Sequence, residues 1–230
     1  MLQHTRQTVY LGVAYSFSPQ PVMDPQHALE FQGQLAKQGL VFSRTQSSTG
    51  FLALWRDTKA LQVLVRQLGP GIGSIAAIAA APWGSLDEVI EDANLAFTGY
   101  RAAWPGQQVQ VIGREVTMRQ LYQVAEQHAF TFLWEKRLRA SPAELTAFRR
   151  PVLGGGLRFH MVPESPDSEE TEIDVRIESL FSDPSKLFIE LLMKWHRAFV
   201  VESFDAAPLI READRFLAEE VVDFIGGAVP

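Results

Sequence analysis

The sequence has 230 residues, of which 47% are hydrophobic, and its formal net charge at pH 7 is −6. The length suffices for one domain with a full core or for two small domains, and the hydrophobic content excludes a disordered chain. The negative charge excludes a general electrostatic attraction to nucleic acid or anionic membranes, and the absence of cysteine excludes disulfides, thiolate catalysis and cysteine metal sites.

Neither a targeting segment nor a membrane span is predicted. The apolar run from Ile72 to Pro82 is too short and too rich in alanine to cross a bilayer. The N-terminus reads Met-Leu-Gln-His-Thr-Arg and has no apolar region of a secretory signal. We therefore expect a cytoplasmic protein with no membrane partner.

Residues 8–122 alternate between strand and helix signals. Apolar residues at every second position indicate strands, and a proline at the first helical position or a capping box indicates a helix start. Gly113 is expected to mark a bulge and residues 69–73 a hairpin turn. The predicted strands are 8–17, 40–44, 51–56, 61–68, 74–81 and 109–122, residues 45–50 are a polar turn, and the predicted helices are 24–38 and 85–104.

This order of elements is typical of a ferredoxin-like, split βαβ unit with an extra hairpin. The sheet is predicted to be mainly antiparallel. Both helices are expected on one face, since strands 8–17 and 61–68 each have one apolar side to cover. We predict an α+β fold in which residues 1–123 form the ferredoxin-like half. Residues 124–230 are predicted to form a helical connector, then strands and a C-terminal packing helix.

The predicted connector begins with an aromatic helix over 124–139. A capping box at Ser141 then opens a short helix that runs to about Arg149. Residues 152–156, Val-Leu-Gly-Gly-Gly, are expected to be flexible. A strand over 157–162 and an acidic, mobile loop over 163–170 complete this part of the chain.

Residues 171–225 are predicted to form a hairpin and a helix. Strand 171–181 alternates, and its odd-numbered residues from Ile173 to Phe181, apart from Ser179, are expected to face the core. A turn follows, and residues 187–195 are predicted to return as a strand. A helix that begins at Asp183 and Pro184 is the alternative.

The final helix is predicted over 205–225, with Asp205 as its cap and Gly226 and Gly227 at its end. Its apolar stripe has helical spacing and is expected to pack on the sheet that contains 171–181. The stripe includes Leu209, Phe216, Leu217 and Phe224.

Residues 81–114 carry a resemblance to a known family. Pro82 and Trp83 precede the second helix, and the strand that follows it contains Ile-Gly-Arg, with the arginine at Arg114. This layout resembles that of a sporadically distributed bacterial protein family of similar length, in which the strand contains Ile-Gly-x-Arg. Gly113 and Arg114 are adjacent here, so the motif departs from that pattern. The resemblance implies a bacterial protein with an α+β fold, and it implies no activity because the family has none assigned.

The sequence contains no recognised catalytic or cofactor-binding motif. The five histidines, at positions 4, 27, 128, 160 and 196, lack the spacing of a helical metal pair. The glycine-rich stretches 69–73 and 154–156 lack the lysine and hydroxyl residue of a phosphate loop, and no Gly-x-Ser-x-Gly is present. We expect no cofactor, no metal and no catalytic residue. An enzyme with a site assembled from unlinked residues is one alternative.

Lysine and arginine residues are most concentrated in segment 136–158 of the sequence. Aromatic residues lie among its cations, a combination that can bind single-stranded nucleic acid by stacking. A solvated helix face is the interpretation we favour, and a nucleic-acid or protein contact is the other. The candidate contact residues are Lys136, Arg137, Arg139, Arg149, Arg150 and Arg158.

A sequence with a full-sized core but no recognisable set of catalytic residues predicts a non-catalytic accessory protein. We expect it to act through protein–protein contacts, by self-association or as a subunit of a complex. A nucleic-acid-binding module that uses 136–158 is the second alternative.

Overall fold

The structure, a computed structural model, describes residues 6–81, 84–106, 108–125, 128–165, 171–201 and 203–227. These residues form a mixed α+β fold, as the sequence predicts, and their strands form one ten-stranded antiparallel sheet. Pro82 and Trp83, which carry part of the family resemblance, and His4 lie outside the described residues.

Nine strands follow the order β2-β3-β4-β5-β1-β6-β9-β8-β7 across the sheet, and β10 pairs with β6 beside β9. Strand β6 lies between β1 and β9 and so joins the predicted halves in one sheet. The strands are β1 (Gln7–Ser18), β2 (Arg44–Ser48), β3 (Phe51–Arg56), β4 (Leu61–Gly69), β5 (Ile72–Ala80), β6 (Val109–Gln123), β7 (Gly156–Met161), β8 (Glu172–Ser179), β9 (Lys186–Trp195) and β10 (Phe199–Val201).

Helices α1 (Pro25–Lys37) and α2 (Leu86–Ala103) are α-helical throughout. Helix α3 (Ala129–Thr131) continues as a π-helix over Phe132–Arg137, and a 3₁₀ helix spans Pro142–Phe148. The C-terminal helix consists of α4 (Ala207–Phe216), a π-helical turn (Leu217–Val221) and α5 (Val222–Gly226). Among the described residues, no helix has both the length and the apolarity needed to cross a membrane.

The predicted starts of α1 and α2 are confirmed by their cap geometry. The Asp24 side chain accepts a hydrogen bond from the backbone N–H of His27 at 2.8 Å, with Pro25 at the first helical position. Ser85 and Glu88 form both bonds of a capping box, at 3.3 and 3.1 Å. Each bond satisfies a backbone donor that the first turn of a helix leaves free.

Helices α1 and α2 lie on the same face of the sheet, as expected. The rings of Phe17 in β1 and Tyr100 in α2 have centroids 5.5 Å apart, and Phe31 of α1 contacts Tyr100 edge-on. Phe204, just before α4, contacts Tyr15 of β1 at 4.7 Å and extends this aromatic core. One buried cluster therefore joins the sheet to the helices from both ends of the chain.

The opposite face of the sheet has no described helix over it. On β6, β8 and β9 this face carries ion pairs, among them Arg119 with Glu190 and Lys194 with Glu172. Arg119 also lies 4.6 Å over the ring of Tyr10. Charged side chains that pair with one another suit a solvent-facing sheet surface.

Two predicted elements in the first 139 residues are wrong. The second strand occupies Arg44–Ser48, where a turn was expected, and residues 40–42 are not a strand. Strand β2 lies at the edge of the sheet with all five residues exposed, so it shows no apolar alternation. The helix predicted over 124–139 begins at Ala129, because the N–H of Val124 donates to the carbonyl of Ser185 beside β9.

The hairpin of β8 and β9 confirms the strand interpretation of 187–195. Every odd-numbered residue from Leu187 to Trp195 is buried. The predicted inward position of Phe181 is wrong, because β8 ends at Ser179 and the turn closes with a bond from the N–H of Leu180 to the carbonyl of Lys186. Phe181 is 86% exposed in that turn. Residues 166–170 of the predicted acidic loop lie outside the described residues.

The C-terminal helix packs on the sheet, as predicted, and ends at Gly227, which has a φ of 76°. Leu209 and Leu217 are buried, whereas Phe216 and Phe224 are partly buried. The Phe224 ring contacts Phe159 of β7 at 5.2 Å. The helix therefore reaches the outermost strand of the sheet.

Candidate interaction surface

Strand β7 is one of the two ends of the sheet. It pairs with β8 over six residue pairs, from Gly156 opposite Glu178 to Met161 opposite Ile173. Among the described residues, no strand pairs with its other side. An unpaired strand edge offers backbone donors and acceptors to another chain.

The hydrogen-bonding pattern identifies the backbone groups that point outward. The N–H of Ser179 donates to the carbonyl of Gly155 at 3.1 Å, so these two residues face each other across the ladder. Hydrogen-bonded and non-hydrogen-bonded pairs alternate along antiparallel strands. Leu157, Phe159 and Met161 therefore direct their backbone groups toward β8. Arg158 and His160 direct theirs toward the open edge.

The side chains of β7 divide into an apolar and a charged set. Leu157, Phe159 and Met161 lie on the helix-covered side, where Phe159 and Met161 are still 37% and 38% exposed. Arg158 and His160 lie on the other side. Large exposed apolar side chains on an edge strand are uncommon in isolated proteins and typical of a contact surface.

Further exposed apolar residues border β7. Phe148 and Leu153 precede the strand, and Phe181 lies in the turn after β8. An apolar cavity of about 230 Å³ lies beside the start of the strand, with Phe130 and Leu157 among its lining residues. Concave, mostly apolar sites suit single anchoring side chains. We call β7 with these three residues and this cavity the β7 surface.

Asp174 of β8 holds the two polar side chains of β7. Arg158 donates to its carboxylate through Nε, at 3.1 and 3.2 Å, and through Nη2 at 2.7 Å. Nδ1 of His160 lies 3.6 Å from the same carboxylate. The hydrogen bonds from Arg158 lower the pKa of Asp174 below its ordinary value. Arg158 is therefore engaged within the chain.

Two of the predicted contact residues, Arg137 and Arg158, lie on opposite sides of the sheet. Arg137 places its guanidinium 4.1 Å over the ring of Phe224, on the helix-covered side of the sheet. Arg158 lies on the opposite side. Lys136, Arg139, Arg149 and Arg150 are exposed, and none of them takes part in an ion pair within the described part of the chain.

The aromatic residues of this segment are mostly fixed in place. Phe130 is buried and stacks on Trp134 at 6.0 Å, and the indole N–H of Trp134 donates to the carbonyl of Ser141. Phe148 remains exposed. In the described part of this segment, the aromatic side chains therefore do not form an exposed row between the lysine and arginine residues on which bases could stack.

The described histidines lie apart in the fold. His27 contacts Asp24 at 2.9 Å and His196 contacts Glu172 at 2.9 Å, each at the protein surface. Nδ1 of His128 accepts a hydrogen bond from the N–H of Phe130. Within the described ranges, no group of three or more histidine, aspartate or glutamate side chains could hold a metal ion.

Two buried polar groups that the sequence does not single out, Asp92 and Tyr15, have partners within the fold. Asp92 of α2 lies 3.3 Å from Lys59 and 3.7 Å from Arg56, which ties the helix to the β3–β4 connection. The Tyr15 hydroxyl donates to the carbonyl of Asp205, and burial raises the pKa of Tyr15 to about 12. These groups hold elements together inside the fold.

The sequence shows the alternation of β7 but not its place at the sheet edge. That place depends on the pairing of β6 with β9, which joins residues far apart in the chain. The exposure of Phe181 is likewise a consequence of where the hairpin turns. No protein-family model matches this chain, and no curated protein sequence is significantly similar to it.

Proposed function

We propose that this chain is a non-catalytic accessory protein of the bacterial cytoplasm that acts through protein–protein contacts, and that the β7 surface is its contact site. The observation that carries the proposal is the open edge of β7, which combines unpaired backbone groups with exposed apolar side chains. Strand addition to a sheet edge uses backbone hydrogen bonds for affinity and alternate side chains for specificity.

The chemistry of the β7 surface defines what it would accept. An extended segment would pair with the backbone groups of Arg158 and His160. Its alternate side chains would lie against Phe159 and Met161, and one apolar side chain would fit the cavity beside Leu157. Apolar contacts at the centre and polar groups at the rim are the usual arrangement of an interface.

We also propose that residues 7–123 are a ferredoxin-like unit with an extra edge hairpin. Strands β6, β1, β5 and β4 are neighbours in that order, with α1 and α2 on one face of them. Strands β2 and β3 extend this group at its outer edge. This arrangement supports the ferredoxin-like interpretation and leaves β6 as the strand on which the rest of the sheet assembles.

The test of the contact site is peptide selection with two matched variants. A random peptide library displayed on phage is selected against the immobilised chain, and the enriched peptides are measured against His160→Pro and His160→Ala. Proline removes the outward N–H of His160, and edge strands tolerate it. Alanine removes the same side chain but keeps that N–H.

We expect enriched peptides to bind the wild type and His160→Ala alike, and to bind His160→Pro at least about tenfold more weakly, which corresponds to about 1.4 kcal/mol. Circular dichroism and thermal unfolding of both variants check that the fold is kept. Equal binding to His160→Pro would contradict the proposed function, and so would enrichment of no peptide by a chain that is also monomeric.

A further inference from the structure

The sequence of β7 is chemically symmetric about its centre. After Gly156 it reads Leu157-Arg-Phe-His-Met161, so in these five residues an apolar residue lies at each end, a basic type lies inside each of these, and Phe159 lies in the middle. A strand of this kind has the same order of chemical types in both directions. Two antiparallel copies of it would place like types opposite each other.

Pairing β7 with the β7 of a second copy fits the open backbone groups. With Phe159 on a two-fold axis, Arg158 of each copy lies opposite His160 of the other. These are the two residues whose N–H and C=O point outward, so they become the hydrogen-bonded pairs of the new ladder, with about four main-chain bonds. Two-fold interfaces are self-complementary in this way.

The side chains fit the same register. On the helix-covered side, Leu157 lies opposite Met161 and Phe159 opposite Phe159, which continues the apolar row from one copy into the next. On the other side, Arg158 lies opposite His160, and in each copy both side chains already lie beside the carboxylate of Asp174 on β8. The basic side chains therefore meet with their counter-charges already in place.

Other registers are disfavoured. A shift of two residues one way places Arg158 opposite Arg158, and like charges directly opposite destabilise a pair. A shift of two the other way places Arg158 opposite Val162. A shift of one exchanges the two sides of the strand and brings apolar residues opposite charged ones.

We propose that the occupant of the β7 surface is a second copy of this chain, joined by antiparallel β7 pairing about Phe159. This inference rests on the proposed function, because it takes the β7 surface as the contact site. The pairing makes one continuous sheet from two copies. In that dimer the β2 strands form the remaining outer edges.

The absence of cysteine allows a sharp test by single-cysteine crosslinking. Residues directly opposite in a non-hydrogen-bonded pair have Cα atoms about 4.5 Å apart, within disulfide reach. Phe159→Cys is expected to crosslink with itself under mild oxidation. Leu157→Cys and Met161→Cys are each expected not to crosslink alone but to crosslink when mixed.

Gln46→Cys on β2 is the control for random collision, and light scattering of the wild type across a concentration series measures the dimer directly. The mixed pair also keeps the test open where Phe159→Cys loses stability. A monomeric wild type without these crosslinks would overturn the dimer, and peptide binding lost in His160→Pro would then still support the proposed function. Crosslinking of Leu157→Cys with itself at the level of the mixed pair would overturn the register.

Discussion

The two ends of the sheet, β2 and β7, differ in how they meet solvent. Strand β2 reads Arg-Thr-Gln-Ser-Ser, is exposed along its whole length, and has its arginine paired with Asp57 and stacked on Trp55. Strand β7 places apolar residues at every second position and leaves Phe159 and Met161 partly exposed. A polar edge discourages pairing with other chains, and an apolar edge invites it. The difference supports the proposal that β7, and not β2, is the end of the sheet at which another chain binds.

Replacing the glycine near each edge strand with alanine is expected to cause the largest change in stability. A Cβ at Gly156 of β7 would collide with the carbonyl oxygen of Ile177 and lie 2.7 Å from the Cα of Glu178. Gly50, in the β2–β3 turn, has a φ of 74° and would meet the flexible side chain of Gln67. We expect Gly156→Ala to cost about 2–3 kcal/mol and Gly50→Ala about 1 kcal/mol in urea unfolding.

The cost is expected to be larger at Gly156 because the new Cβ would meet backbone atoms, which cannot move aside as the end of the Gln67 side chain can at Gly50. Gly33→Ala is the control, since nothing lies within 4 Å of a Cβ there and alanine favours the helix. Equal losses of unfolding free energy in Gly156→Ala and Gly50→Ala would contradict the view that β7 packs closely against the β8 backbone at Gly156.

A charge placed on each edge should separate their roles. Phe159→Lys gives β7 a charged residue, and in the proposed dimer it brings two lysines together on the axis. We expect self-association to weaken at least about tenfold, or by about 1.4 kcal/mol, in sedimentation or light scattering. Gln46→Lys makes the same charge change on β2 and should leave association unchanged. An equal loss in both variants would mean that overall charge, not the β7 edge, controls association.

The carboxylates beside the two edges predict a small pH effect. Hydrogen bonds lower the pKa of Asp174, chiefly those from Arg158, and the pKa of Asp57, chiefly that from Ser43. A lowered folded-state pKa gives stability that is fully present above the unfolded value of about 3.9 and is lost as pH falls through the folded value.

We therefore expect the stability difference between wild type and Asp174→Asn, or Asp57→Asn, to vanish on acidification below about pH 4. The NMR titration of each carboxyl carbon measures the pKa directly. Exposed ion pairs contribute little, so the difference at neutral pH should be small. A midpoint of the Asp174 titration above the ordinary aspartate value would contradict the hydrogen-bond argument.

The smallest expected effect concerns nucleic acid. Arg149 and Arg150 lie before β7 and are exposed, yet the net charge of −6 provides no delocalised attraction. We expect no binding of a labelled single strand or duplex at low salt in fluorescence anisotropy. Should binding occur, each phosphate neutralised would contribute a log–log salt slope of about 0.9 for duplex. The double alanine variant would then flatten that slope, and the nucleic-acid alternative would replace the protein contact.

Local patterns predict most of this fold. Strands β1, β4 and β8 alternate because one of their faces is buried, and the starts of α1 and α2 carry their caps in the sequence. Strand β2 could not be found in this way, since a polar edge strand buries nothing and leaves no alternation. The start of α3 was placed too early because the chain after β6 continues beside Ser185.

The candidate site was only half predictable. The alternation of Leu157, Phe159 and Met161 is visible in the sequence, but the open edge depends on long-range pairing that no local pattern encodes. The basic residues are prominent in the sequence because of their number, but in the structure Arg137 contacts Phe224 and Arg158 pairs with Asp174. Charge composition says how many cations there are and not which of them are free.

The central position of β1 in the sheet has a consequence for folding during synthesis. Gln7 pairs with Leu121, and Tyr10 pairs with Ala80, so β1 lacks these partners until much later segments emerge from the ribosome. At about 5–20 residues per second, translation leaves β1 waiting for β6 for roughly 6–20 s. During that time the apolar side of β1, including Leu11 and Phe17, is a natural substrate for chaperones at the ribosome. Such distant pairings also favour slow refolding, on the scale of milliseconds to seconds.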